Sequence, residues 1–128
     1  MLIKIPVSTG ELIDKITILE IKKIKVNDKL KLNDIKKEHK YLKSILLKKI
    51  KLDPYIKREI AALKKINLKL WDIEDGKRKA ERNKKFGKSF ILLARKVYIY
   101  NDKRAMIKLN INRITNSAIV EVKSYDKY

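Results

Sequence analysis

The chain of 128 residues predicts a mainly α protein, an antiparallel bundle of about four helices with a small β-ribbon formed by its two terminal segments. Three observations lead there. Apolar residues recur at helical spacing over long windows. Only three glycines and two prolines interrupt the chain, so those windows run on without breakers. An alternating stretch stands at the N-terminal end and a β-branched one at the C-terminal end. The length suits one core, and residues 1–128 are read as a single domain.

Residues 2–5, "LIKI", alternate and stop at Pro6, as a short edge strand does. Ser8 stands three residues before Glu11, a capping-box spacing that starts helix 1 at about 9–26. "VND" (26–28) ends it. Helix 2 follows over about 29–51, with Leu32, Ile35, His39, Leu42, Leu46 and Ile50 along one face. Asp53 and Pro54 supply an N-cap and a first-turn proline for helix 3, about 54–83. "NKKFGK" (83–88) turns the chain into helix 4, about 88–114, which stops at "TNS". The β-branched "AIVEVKSY" (118–125) predicts a strand able to pair with residues 2–5. No internal repeat or linker is visible.

Composition removes several classes of function. The chain has no cysteine and one histidine, so disulfides, thiolate metal sites and multi-histidine sites within one chain are excluded. There is no Gly-rich phosphate loop, nucleophile elbow or zinc spacing. No window approaches the apolar length of a membrane span, and the opening lacks the pattern of a signal peptide. These features lead to the expectation of a cytoplasmic protein with no membrane partner. The net charge of +19 invites a nucleic-acid reading. Six of the 34 basic residues are Arg, so 28 are Lys, the bias of an AT-rich genome. The expectation is weak, salt-sensitive binding to nucleic acid at most.

The informative feature is a polar stripe on otherwise apolar helix faces. In helix 1, Glu20 falls between Ile13, Ile16 and Ile24, where a core residue is expected. In helix 3 the direction set by Ile56, Ile60, Leu63 and Leu70 continues through Asn67, Glu74, Arg78 and Glu81. In helix 4, Phe90, Leu93 and Val97 lead to Asn101, Arg104, Lys108 and Asn112, with Tyr98 at the edge. An antiparallel hairpin of helices 3 and 4 puts Asn67 near Arg104, and Glu74 near Val97 to Asn101. Unpaired buried ions cost several kcal/mol each, so these groups must pair, stay wet or hold a ligand. Glu20 is expected to partner the cations of helices 3 and 4, Arg104 among them.

Two readings follow. One is a structural salt-bridge network. The other is a pocket for a small anionic polar metabolite, with Glu20, Asn67, Glu74, Arg78, Tyr98, Asn101, Arg104 and Lys108 as candidate ligand-binding residues. In the pocket reading Arg104 and Lys108 would hold a phosphate or carboxylate, while Glu20 or Glu74 accepts hydroxyl or amine hydrogens. "ELID" and "DIED" space acids as some helical metal-dependent pyrophosphatases do, but by wheel position Asp14 and Asp75 point off the core face, and no metal or cofactor is assigned. His39 is read as a packed histidine, and Trp71 as a core or wall aromatic. The lysine runs are read as solvated faces spread over several helices.

The segments "IPVSTGELIDKITILEIK" (5–22), "LWDIED" (70–75), "ARKVYIYNDKRAMIK" (94–108) and "IVEVKSY" (119–125) resemble an uncharacterised bacterial family, a domain of unknown function. Its members open with VPVSxGELIDKITILEIK and later carry LWDIED and ARxVYxxNDxRAxIK. The likeness spans both ends and most of helices 3 and 4. Residues 23–69 match in length and character only, and Lys96 departs from a FARSVY-like run. The resemblance implies a common fold and no established reaction. Its relatives near glycosyltransferase and surface-polysaccharide genes imply a sugar or sugar-nucleotide ligand. The family motifs fall on Glu20, Glu74, Asn101, Arg104 and Lys108.

The function expected is therefore a small helical protein that binds an anionic metabolite in a charged interior cleft, with enzymatic activity left open. One alternative is a nucleic-acid-binding module using surface lysines. The other is an oligomerisation or adaptor bundle in which the charged stripe sets register. Apolar Leu30, Ile45 and Leu47 beyond the main stripe of helix 2 predict a homodimer.

Overall fold

A computed structural model describes residues 1–128 as four α-helices: α1 (Thr9–Lys25), α2 (Lys29–Lys49), α3 (Pro54–Arg82) and α4 (Lys88–Ile114). Short side chains start the first three. Ser8 Oγ accepts from the Glu11 amide at 3.0 Å, Asp28 from Lys31 at 3.0 Å and Asp53 from Ile56 at 2.9 Å, with Pro54 in the first turn. Each cap satisfies an amide that a helix start leaves unpaired. Extended Val26 and Ile50 end α1 and α2. At the end of α3, Lys84 adopts the left-handed region with φ 51°, and the Lys85 amide reaches back to the Ala80 carbonyl at 2.9 Å. The end of α4 repeats this with Asn116, φ 50°, and a Ser117 amide bond to Asn112 O of 2.9 Å. Both are Schellman-type closures.

Helix α1 is the central element. It packs against α2, α3 and α4, while α3 and α4 form a hairpin and α2 packs closely only on α1. The innermost apolar residues are Ile13 and Ile16 from α1, Leu46 from α2, Leu63 from α3 and Ile111 from α4. Near its start α1 meets α4 at backbone distance. The Gly10 amide donates to Asn112 Oδ1 at 2.6 Å, and a Cβ at Gly10 would sit 2.6 Å from the Lys108 carbonyl oxygen. Glycine is required there by close approach rather than by a special φ.

The expected β-ribbon does not form. The chain contains no strand, and no backbone hydrogen bond joins residues 2–5 to 118–125. Leu2, Ile3 and Ile5 are exposed. The C-terminal segment instead attaches through side chains, from Glu121 to Ser8 and Lys108 and from Lys123 to Asp102. Two short strands with no third strand and no covered face gain too little to hold register, so β-branched composition alone did not decide their structure.

Candidate functional site

A buried polar centre joins three helices. Asp14 and Thr17 lie one turn apart on α1, Asn67 comes from α3, and Arg104 comes from α4. Asp14 is only 1% exposed. Its Oδ1 accepts from Asn67 Nδ2 at 2.9 Å and from Arg104 Nε at 2.9 Å, and Arg104 Nη2 donates to its Oδ2. Asn67 Nδ2 also donates to Thr17 Oγ1 at 2.9 Å, while the Thr17 hydroxyl donates to the Asp14 carbonyl at 2.7 Å. The two-nitrogen fork of Arg104 on a carboxylate is the strongest pairing geometry these groups have. The hydrogen bonds that Arg104 donates to Asp14 raise the Arg104 pKa above its ordinary value, against the opposing effect of burial. Arg104 Nη1 lies 3.4 Å from Asn101 Oδ1.

Arg104 also lines a cleft of about 570 Å³ walled by Ile18, Ile21, Leu70 and Trp71, with buried Asn67 beside it and the more exposed Glu74, Asp75 and Arg78 at its rim. Glu74 pairs along its own helix with Lys77 at 3.2 Å and Arg78 at 3.1 Å. Its partial burial raises its pKa, but these two cations together outweigh that and hold the carboxyl below its ordinary value.

A second cluster lies beyond the buried centre, at the start of α1. Lys108 Nζ donates to Glu11 at 2.6 Å and to Glu121 at 3.0 Å. Glu121 also accepts from the Ser8 hydroxyl, which is itself the α1 cap. Burial lowers the Lys108 pKa and its two carboxylate partners raise it, with a net rise. For Glu121 burial acts upward, and Ser8 and Lys108 together bring the carboxyl below its ordinary value. Asn112 lies buried beside this cluster, holding Gly10. Tyr98, Asn101 and Lys108 line a groove of about 1060 Å³ between α4 and the C-terminal segment, where the Tyr98 and Tyr128 rings stand 4.9 Å apart.

The polar residues expected on one face thus separate into distinct places. Asn67, Asn101 and Arg104 come together. Glu74 and Arg78 reach the cleft rim, and Glu81 pairs with Lys84 at the end of α3. Lys108 and Tyr98 belong to the terminal side. Two expectations need correction. Glu20 does not meet Arg104: it faces His39 Nε2 at 3.4 Å and Lys64 at 3.8 Å, so of the cations expected it takes one from α3 and none from α4. His39 Nε2 is buried with no hydrogen bond. Asp14, placed off the core by its wheel position, is instead the centre of the network. The cause is the place of α1. A helix packed on three sides has no solvent face along most of its length, so a wheel divided into core and surface misplaces its flanks. A second stripe, Gly10, Asp14, Thr17 and Ile21, carries the signal that was missed. These residues follow helical spacing and all four are buried. Asp75, by contrast, is exposed as expected. No three acidic or histidine side chains gather where they could hold a metal ion.

This arrangement defines a class, a small all-α protein built on a central helix with a buried carboxylate–guanidinium–amide centre beside an open cleft. The chain belongs to a family of unknown function, DUF6165, whose family model matches residues 3–128. No curated protein and no solved structure matches it. No helix is long and apolar enough to cross a membrane.

Proposed function

We propose that this protein binds a small anionic polar metabolite, of the phosphate, carboxylate or sugar-nucleotide class, in the cleft between α1, α3 and α4. One observation carries the reading. Asp14 holds two nitrogens of Arg104, the third lies 3.4 Å from Asn101 Oδ1, and the side chain so fixed lines the cleft together with Trp71 and Arg78. A guanidinium fixed in this way meets an oxyanion without first losing rotamer freedom. The apolar wall of Ile18, Ile21, Leu70 and Trp71 gives a ligand's ring or chain a surface, and Glu74 offers an acceptor for hydroxyl or amine hydrogens. Asn67 orients Asp14. Asn101 extends the polar surface beside Arg104, while Lys108 is held by Glu11 and Glu121, Tyr98 lines the groove beside the C-terminal segment, and Glu20 lies too far round α1 to take part. No reaction is assigned.

Trp71 is the single tryptophan, so its emission reports on the cleft directly. Titration with inorganic phosphate, pyrophosphate, citrate and a nucleoside diphosphate sugar should give saturable quenching with at least one. Arg78→Met and Glu74→Gln, both at the rim, should weaken that binding about tenfold or more with an unchanged melting temperature. Trp71 emission indifferent to all four probes at millimolar concentration overturns the proposal.

A second reading has its own support. Every polar atom of Asp14 and Asn67 named above already has a partner within the protein, which is what a purely structural network requires. In that reading the bundle is an assembly module, and a homodimer is expected under both.

A further inference from the structure

Helix α2 has the densest net positive charge of the four helices. It carries eight lysines against two acids, Asp34 and Glu38, and no arginine. None of those eight lysines forms an ion pair, whereas Glu38 is paired with Lys15. The helix packs closely only on α1, so its outer side is free. With about 100° of turn per residue, Lys29, Lys36, Lys37, Lys40 and Lys48 fall within an arc of about 120°, together with Asn33, Ser44, Leu30 and Leu47. All nine are exposed, while Asp34 and Glu38 fall outside that arc. From Lys29 to Lys48 the stripe runs about 28 Å at about 1.5 Å per residue.

We propose that this face of α2 is a docking surface for the phosphate backbone of nucleic acid, used without reading sequence. Whatever set the overall lysine content, five exposed lysines on one arc with no carboxylate among them form a continuous positive face. The missing arginines matter to the assignment, because the paired N–H fork of arginine is the main reader of guanine edges, whereas lysine meets phosphate as a point charge. Asn33 adds a short hydrogen-bond donor of the kind that contacts phosphate and sugar, while the Ser44 hydroxyl already donates to the Tyr41 carbonyl at 2.7 Å. An anionic membrane fits less well. A helix lying in a lipid interface needs its apolar side free, and here Leu32, Ile35, Leu42 and Leu46 face the bundle, leaving Leu30, Tyr41 and Leu47 outward.

Counterion release sets the expected size of the effect. Five phosphate contacts give a slope of log K against log salt of about −4.5, so affinity for a duplex should fall about 500-fold between 50 and 200 mM NaCl. Fluorescence anisotropy with labelled duplexes of about 30 base pairs and of two unrelated sequences, using the full chain, measures this. Combined Lys36→Gln, Lys37→Gln and Lys40→Gln should reduce the slope by about 2.7. These side chains are exposed and unpaired, and circular dichroism checks that the helices persist. Combined Lys79→Gln, Lys85→Gln and Lys88→Gln, which removes equal charge near the α3–α4 turn, should leave the slope unchanged. Equal losses from the two triple variants mean that net charge alone binds, and they overturn the proposal. So does a preference above tenfold for one sequence, or tighter binding to phosphatidylserine vesicles than to either duplex.

Discussion

Asp14 and Arg104 form the buried ion pair at the centre of the bundle. Asp14 is buried beyond the reach of water, so its charge depends on Arg104 and Asn67. Arg104→Met leaves that carboxylate stranded and should destabilise the fold by about 3–5 kcal/mol, while Asp14→Asn combined with Arg104→Met should recover much of the loss. Thermal melts of the singles and the double measure this, and a small loss for Arg104→Met alone would show that the pair is not carrying the buried charge. Glu20 is different. It faces a histidine and a lysine across 3.4 and 3.8 Å and is partly exposed, so Glu20→Gln should change stability by less than about 1 kcal/mol.

At the scale of an element, helix ends and close contacts set local tolerances. Lys84 occupies the left-handed closing position of α3, where a side chain is strained and glycine is not. Lys84→Gly should stabilise by about 1 kcal/mol in urea unfolding, the loss of an exposed ion pair with Glu81 mattering little. Gly10→Ala acts in the opposite direction. Its methyl would meet the α4 backbone, which cannot rotate away as a side chain can, and a loss of about 1–3 kcal/mol is expected in the same assay. The C-terminal segment has its own pH response. Glu121 sits below its ordinary pKa when folded, so its attachment to Ser8 and Lys108 is intact above the ordinary carboxylate range and is lost as pH falls through the folded value. Amide chemical shifts of residues 118–123 should move to those of a free chain in that acid window, and Glu121→Gln should abolish the transition.

The whole molecule has a thin core. Fifteen of 128 residues are buried, and Leu30, Leu47, Ile91, Leu92 and Met106 are exposed, so the four helices leave much apolar surface in water. A second copy covering part of that surface would add burial at about 25 cal/mol per Å². Light scattering at high micromolar concentration should therefore return twice the monomer mass of 15.1 kDa. A monomer mass there would rule the homodimer out and leave the exposed residues to another partner.

Local rules were enough for much of this fold. Ser8, Asp28 and Asp53 mark helix starts through bonds to amides three residues away, and Pro54 fills a first turn, so the helix boundaries were legible to within a residue or two. The spacing that put Asn67 beside Arg104 is also local, given a hairpin between α3 and α4. The third partner of those two residues was not local. Whether Asp14 faces solvent or core depends on how many helices surround α1, a property of packing that no periodicity within α1 contains. The same holds for Glu20, which turned to α2 and α3, and for the termini, where β-branched residues had no third strand to pair with and the chain was held by Glu121 and Lys123 instead. Backbone hydrogen bonds in a helix close within four residues and can be read from neighbours. Burial, ion pairing and strand pairing join residues up to 113 positions apart, as Ser8 and Glu121 are, and only the assembled bundle decides them.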